Sequence, residues 1–272
     1  MDAVPNDFSG VLESLAHYFN GLHRRDLSSM KRVWHPQCHL KRPSGDGGVV
    51  DIDAPSFMRI VSGDDNALSG QVSDAHLSDT VQSIQFTAPR MAMAKVLITL
   101  GDKTYTDFLA MLHLNDGWNI VAKLFTSRCA SLPYGVDTTP IESAHAEVGR
   151  AASEYVQARR AADRGKMREV LHPSFQMFTE RNGDLLCIPR DMYIDDLATF
   201  AAGEADAACG PRRFDRVASI DKSGPETAVV KMHVGGRGPA GDDRLLTDYL
   251  MLVRVAGGWR IVTRVYTPRP MD

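Results

Sequence analysis

The chain has 272 residues, enough for one large domain or for two of about 130 residues that each bury a core. Apolar residues make up 43% and charged residues 24%, and 22 glycines with 14 prolines are too few for a disordered or collagen-like chain. The 31 basic residues nearly balance 34 acidic ones, so no field arises that would steer nucleic acid or anionic lipid to it.

The opening residues, Met1 to Asp7, have neither a basic start nor an apolar stretch, and no apolar run approaches a membrane span, so a cytoplasmic chain with no membrane partner is expected. A long amphipathic helix is predicted from Phe8 to His23, with Val11, Leu12, Leu15, Tyr18, Phe19 and Leu22 at helical spacing. Asp26 opens a short second helix that Pro36 ends, with His35 placed to cap its last carbonyls. A strand pair turns through Ser44 to Gly48, and a third helix follows Asp53. Four alternating strands then run over roughly 79–87, 91–100, 104–114 and 118–127, the last two joined by Asn115-Asp116-Gly117. Helices first and a meander last make an α+β unit: a curved antiparallel sheet wrapped on a long N-terminal helix, with two short helices. Such a sheet encloses a pocket at its open end.

The same order then repeats. At an offset of 137 Tyr18 falls on Tyr155, Asp26 on Asp163, and His35-Pro36 on His172-Pro173. At 136 Ile52 meets Ile188, and Ser83-Ile84 meet Ser219-Ile220. At 141 Thr106-Asp107-Phe108-Leu109 aligns with Thr247-Asp248-Tyr249-Leu250, and Gly117-Trp118 with Gly258-Trp259. The offset changes only at loop positions, which marks a tandem duplication of a whole domain, 1–131 and 132–272. Thr139, Pro140 and Glu142 open the second copy with a capping pattern.

Helix, helix closing on an apolar-His-Pro step, hairpin, helix, then T-D-[FY]-L followed by G-W-x-I-V resembles the cone-shaped nuclear transport factor 2-like superfamily. Within it, the branch described as putative lumazine-binding, near the polyketide cyclases, is the most similar. The resemblance implies a cone fold in each copy and a small-molecule ligand. It also implies an intramolecular pseudo-dimer of the two copies, with further oligomerisation open. The superfamily's isomerases, dehydratases and cyclases imply cofactor-free lyase or isomerase chemistry; its transport and association domains imply none.

Asp107 and Asp248 stand in otherwise apolar strands, where a carboxylate is costly unless paired or used. Alternation puts Asp107, Leu109 and Met111 on one face, and Val121, Lys123 and Phe125 on one face of the next strand. Counting back from the turn sets Asp107 beside Phe125 and diagonal to Lys123; Asp248 and Arg264 are the equivalent pair. These are either structural ion pairs or, at Asp107, a general base in a dry pocket. His39, whose counterpart is Gln176, is the second catalytic candidate, brought toward Asp107 by the superfamily's pairing of first and last strands. Tyr18 is the third, a phenol on the inner stripe of the first helix. Lys123, Met111, Tyr155, Asp248 and Arg264 are the candidate ligand-binding residues. Arg159-Arg160 reads as a solvated helix end, and no metal site, cofactor motif, nucleotide cradle or nucleophile elbow is found. Two functions stay open: acid-base proton transfer on a small organic substrate, or a non-catalytic ligand-binding or assembly module whose ionisable residues are structural.

Overall fold

The apolar stripe of the first helix and the alternation of the late strands must bury against each other, and the computed structural model of the chain places them so. It describes residues 7–64, 77–130, 141–198, 215–237 and 243–270. The predicted capping pattern at residues 139–142, the linker and Cys209 lie outside them or are described by backbone alone. Helix α1, Phe8–Arg24, starts on Asp7, whose carboxylate accepts from Gly10 N. It buries Val11, Leu15, Tyr18 and Leu22 on one side and stops at Arg25, which adopts the left-handed region at φ 55°. Helix α2, Leu27–Val33, is capped by Asp26; β1, Trp34–Pro43, follows at once. Strand β2, Val49–Asp53, leads into α3, Ala54–Ser62, and then come β3, Leu77–Ala88, β4, Met91–Leu100, β5, Lys103–Leu114, and β6, Gly117–Cys129.

Copy two repeats the order: α4, Ile141–Arg160, α5, Arg164–Val170, β7, Leu171–Arg181, β8, Asp184–Pro189, and α6, Arg190–Asp195. It ends with β9, Asp215–Lys222, β10, Thr227–Arg237, β11, Asp243–Val255, and β12, Gly258–Pro270. The sheets have the same strand order, β2-β1-β6-β5-β4-β3 and β8-β7-β12-β11-β10-β9. In each the first long strand runs parallel to the last, and the other described pairings are antiparallel. The expected antiparallel meander is present, and the pairing of the first long strand with the last makes the sheet mixed; a parallel neighbour needs a crossover, and the α3 segment with the meander provides it. By contacts the chain divides into Met1–Arg42, Val49–Val136 and Glu180–Asp184 as one unit, and Pro43–Gly48, Asp137–Thr179 and Leu185–Asp272 as the other.

Two sequence expectations change. The histidine of the His-Pro step does not cap a helix, because α2 ends at Val33 and the step is already strand. His35 Nδ1 instead accepts from Gln37 N at 3.1 Å, and His172 Nδ1 from Ser174 N at 3.1 Å. Each ring bonds the backbone across the proline where the β1–β6 and β7–β12 registers shift. Strict alternation also fails in the last strand. The register of β5 on β6 slips between Ala110 and Met111, so Ile120 joins Lys123 and Phe125 on the helix-facing side and Val121 does not. The same slip recurs in copy two between Met251 and Leu252.

Candidate functional site

The predicted neighbours meet inside the first cone. Asp107 pairs in register with Phe125, and Leu109 with Lys123, so both charged side chains leave the sheet on the face covered by α1. Lys123 Nζ lies 2.8 Å from Asp107 Oδ2 and donates to Tyr18 Oη at 2.7 Å; Tyr18 in turn donates to Asp107 Oδ2 at 2.8 Å. Asp107 and Tyr18 are fully buried and Lys123 is 5% exposed. The ammonium also sits over three rings, 4.6 Å from the centroid of Phe125, 5.5 Å from Tyr18 and 5.6 Å from Phe57. Burial first, then the Asp107 charge, pushes the Tyr18 phenol well above its usual range, so it stays a proton donor at neutral pH.

With the Tyr18 hydroxyl and the Lys123 ammonium both on one oxygen, Asp107 keeps the other unfilled: Oδ1 is buried and accepts no hydrogen bond. Asp107 also lines a pocket. It is lined by Leu22 from α1, Ile52 from β2, Phe57 and Ile60 from α3, Ile98 and Leu100 from β4, Tyr105 and Asp107 from β5, and Lys123 and Phe125 from β6. The cavity measures about 70 Å³ as space open to the centre of a water-sized molecule. One water needs roughly 10–15 Å³ on that measure, so there is room for a small organic molecule. Its walls are apolar except at Asp107, Lys123 and the phenol of Tyr105.

In copy two the same positions are bonded differently. Arg264 donates from Nε to Asp248 Oδ2 and from Nη2 to Asp248 Oδ1, both at 3.0 Å, so the guanidinium fork fills both carboxylate oxygens. Its Nη1 reaches Met177 Sδ at 3.2 Å, and its carbon lies 4.3 Å from the Tyr266 ring centre. Burial disfavours the arginine's charge, but Asp248 and the surrounding tyrosines outweigh it and hold its pKa well above the usual value. Tyr155 does not meet the aspartate; its hydroxyl bonds that of Tyr193 at 2.8 Å, and burial pushes the Tyr155 phenol well up. Two exchanges account for the contrast. Lysine offers a point charge where arginine offers a fork, and Phe57 lacks the hydroxyl by which Tyr193 engages the helix tyrosine.

Other candidates fall elsewhere. His39 pairs with Ala122 of β6 while Leu40 pairs with Lys123, so His39 leaves the opposite face of the sheet from Asp107. Its Nδ1 lies 2.8 Å from Asp51 Oδ1, whose second oxygen accepts from the buried Lys41 at 2.9 Å. The expected approach of His39 to Asp107 is therefore corrected. Met111 packs in the helix-facing core with Trp118 and Ile120. Arg159, expected in solvent, is 6% exposed with Nη1 3.8 Å from Asp248 Oδ2. Four residues after Tyr155, it shares that inward stripe, a signal the sequence carried. Phe57 and Ile98, which form much of the pocket wall, are ordinary core residues by pattern and gave no such signal. Among the described residues no three His, Cys, Asp or Glu are placed to hold a metal ion, and no helix is long and apolar enough to cross a membrane.

Comparison with known proteins gives a family. The model described as putative lumazine-binding matches the chain twice, over residues 6–126 and 143–267. No curated protein matches. Among solved structures, a nuclear transport factor 2-like protein of unknown function from Silicibacter pomeroyi is 23% identical, with 48% of this chain covering 100% of that one at a TM-score of 0.39. One from Shewanella baltica is 20% identical, 49% of this chain covering 100% of that one, at 0.40. A structure described as a putative dehydratase of the same fold family, from Streptomyces avermitilis, is 16% identical over 48% of this chain and 99% of its own, at 0.37. Each of these structures is matched by about half of this chain.

Proposed function

Since the chain belongs to the putative lumazine-binding family in both of its copies, we propose that the first copy, residues 1–131, binds a small, mostly apolar organic molecule that donates one hydrogen bond to Asp107 Oδ1. The second copy, residues 132–272, has spent its equivalent carboxylate on Arg264. One observation carries this reading: a fully buried carboxylate oxygen without a partner beside an apolar pocket. Leaving such an acceptor unfilled costs roughly 1–3 kcal/mol, which an O–H or N–H of a ligand recovers. The family's description names lumazine as a ligand, and a flat heterocycle with N–H donors matches an acceptor between aromatic walls.

A titration of phenol against fluorobenzene, followed by ligand-observed NMR, tests it. Phenol should bind about tenfold more tightly, the worth of one hydrogen bond to a charged acceptor. Ile98→Phe, which fills the pocket without touching the ion pair, should abolish both. Equal affinities, or binding that survives the filling, would overturn the reading.

The same free oxygen supports a second reading, cofactor-free lyase or isomerase chemistry. Lys123 and Tyr18 hold Oδ2, leaving Oδ1 aimed as a base at a C–H of the ligand. His39 has no part in it. Exchange of an activated C–H of a bound ketone for deuterium, fast in the wild type and lost in Asp107→Asn, is its signature; equal rates in both would eliminate it.

A further inference from the structure

We propose that Lys123 is an imine-forming lysine, and that the pocket of the first copy takes small aldehydes or ketones whose carbonyl carbon Lys123 attacks. The proposal rests on the pocket reading above and names its ligand class.

Lysine and arginine can both serve as buried counter-ions, but only lysine is also a nucleophile. The lysine amine, once deprotonated, condenses with a carbonyl, whereas the arginine guanidinium stays protonated. The duplication therefore serves as a control. At Arg264 the fold's need for a cation opposite the strand aspartate is met by the better ion-pairing residue, with both carboxylate oxygens filled. At Lys123 the same need is met by an amine that lines a cavity and is 5% exposed. Lys41 shows that burial and an ion pair alone do not make such a site. It is 1% exposed and bonded to Asp51, yet lies on the other face of the sheet from the pocket.

The groups needed to move protons are in contact with Lys123. Asp107 Oδ2, at 2.8 Å, accepts a proton from the ammonium and leaves a neutral amine. The amine's electron pair forms a bond to the carbonyl carbon while the C=O π pair moves to oxygen, which takes the proton back from Asp107. The carbinolamine nitrogen then gives a proton to Asp107, which passes it to the departing hydroxyl, and water leaves as the C=N bond forms. The sum is ammonium plus carbonyl giving iminium plus water, with no redox change. One positive charge remains beside one carboxylate, so the buried ion pair survives the step. Tyr18, held protonated, donates to Oδ2 throughout.

The test is reductive trapping of the full chain with benzaldehyde and borohydride, read by peptide mass mapping. Lys123 should be benzylated about tenfold faster than the exposed Lys103. Lys123→Arg should show no adduct at that position, and Ile98→Phe should protect Lys123 while leaving Lys103 labelling unchanged. Labelling of Lys123 no faster than Lys103, or unchanged by Ile98→Phe, overturns the proposal. If phenol still binds in that case, the pocket reading stands and the imine alone falls; if phenol also fails, both fall.

Discussion

At the scale of single residues, the exchange of Lys123 for Arg264 decides what each interior offers. Arg264→Lys would leave Asp248 Oδ1 without its donor and should destabilise copy two by about 1–3 kcal/mol, as measured by urea unfolding. Arg264→Met, which leaves a buried carboxylate without its main partner, should cost more, about 3–5 kcal/mol. Lys123→Arg should go the other way in chemistry: a fork fills Asp107 Oδ1, and phenol loses its advantage over fluorobenzene. A pH effect belongs at this scale too. His35 must be neutral to accept from Gln37 N, and burial lowers its pKa below 6.5, with Asp116 pulling weakly upward. A group whose folded pKa is depressed contributes stability above its unfolded value and loses it as pH falls toward the folded one. Stability should therefore decline on acidification below about 6.5, and His35→Gln should flatten that part of the profile measured by chemical unfolding.

Elements show where sequence reasoning reaches its limit. Helix starts were legible because capping is local: Asp26 accepts from Ser28 N and Ser29 N, and Asp163 from Lys166 N. Asp53 caps α3 through Ser56 N, whereas Pro189 gives α6 no side-chain cap, so Asp53→Ala should cost about 1 kcal/mol in copy one. The opposition of Asp107 and Phe125 was also legible, since a tight turn fixes the register of a hairpin. Neither the slip at Met111 nor the face of His39 follows from such a rule. The slip adds a residue that alternation cannot count, and β1 meets β6 with some eighty residues of chain between them, so no turn sets its register. The pocket walls were hidden for another reason: Phe57 and Ile98 differ from core residues only in what they fail to touch.

For the molecule as a whole, duplication relaxes the demands on each copy. One unit keeps the sheet order, the helix tyrosine and the strand aspartate while filling both carboxylate oxygens with Arg264; the other leaves an acceptor oxygen unfilled on a residue that lines a cavity. A calorimetric titration of a ligand that relies on the free carboxylate oxygen should saturate at one molecule per chain. Two equivalent sites would mean that Asp248 releases Arg264 on binding. The family resemblance was legible over the whole length because it lies in the order of elements and in motifs that both copies repeat, whereas the difference between the interiors lies in a few buried side chains that conserve charge.

The parallel pairing of β1 with β6, and of β7 with β12, also sets a timetable for synthesis. In each copy the strand made early sits beside the strand made last, so the sheet stays incomplete until that final strand has left the ribosome. Copy one then closes while copy two is still being translated, and copy two waits for β12. Nascent chains arrested before Gly117 should be cut rapidly by a protease throughout the first copy, and chains arrested well beyond Cys129 should resist there. A nonsense mutation within the last strand should leave a folded first domain attached to an unfolded second one.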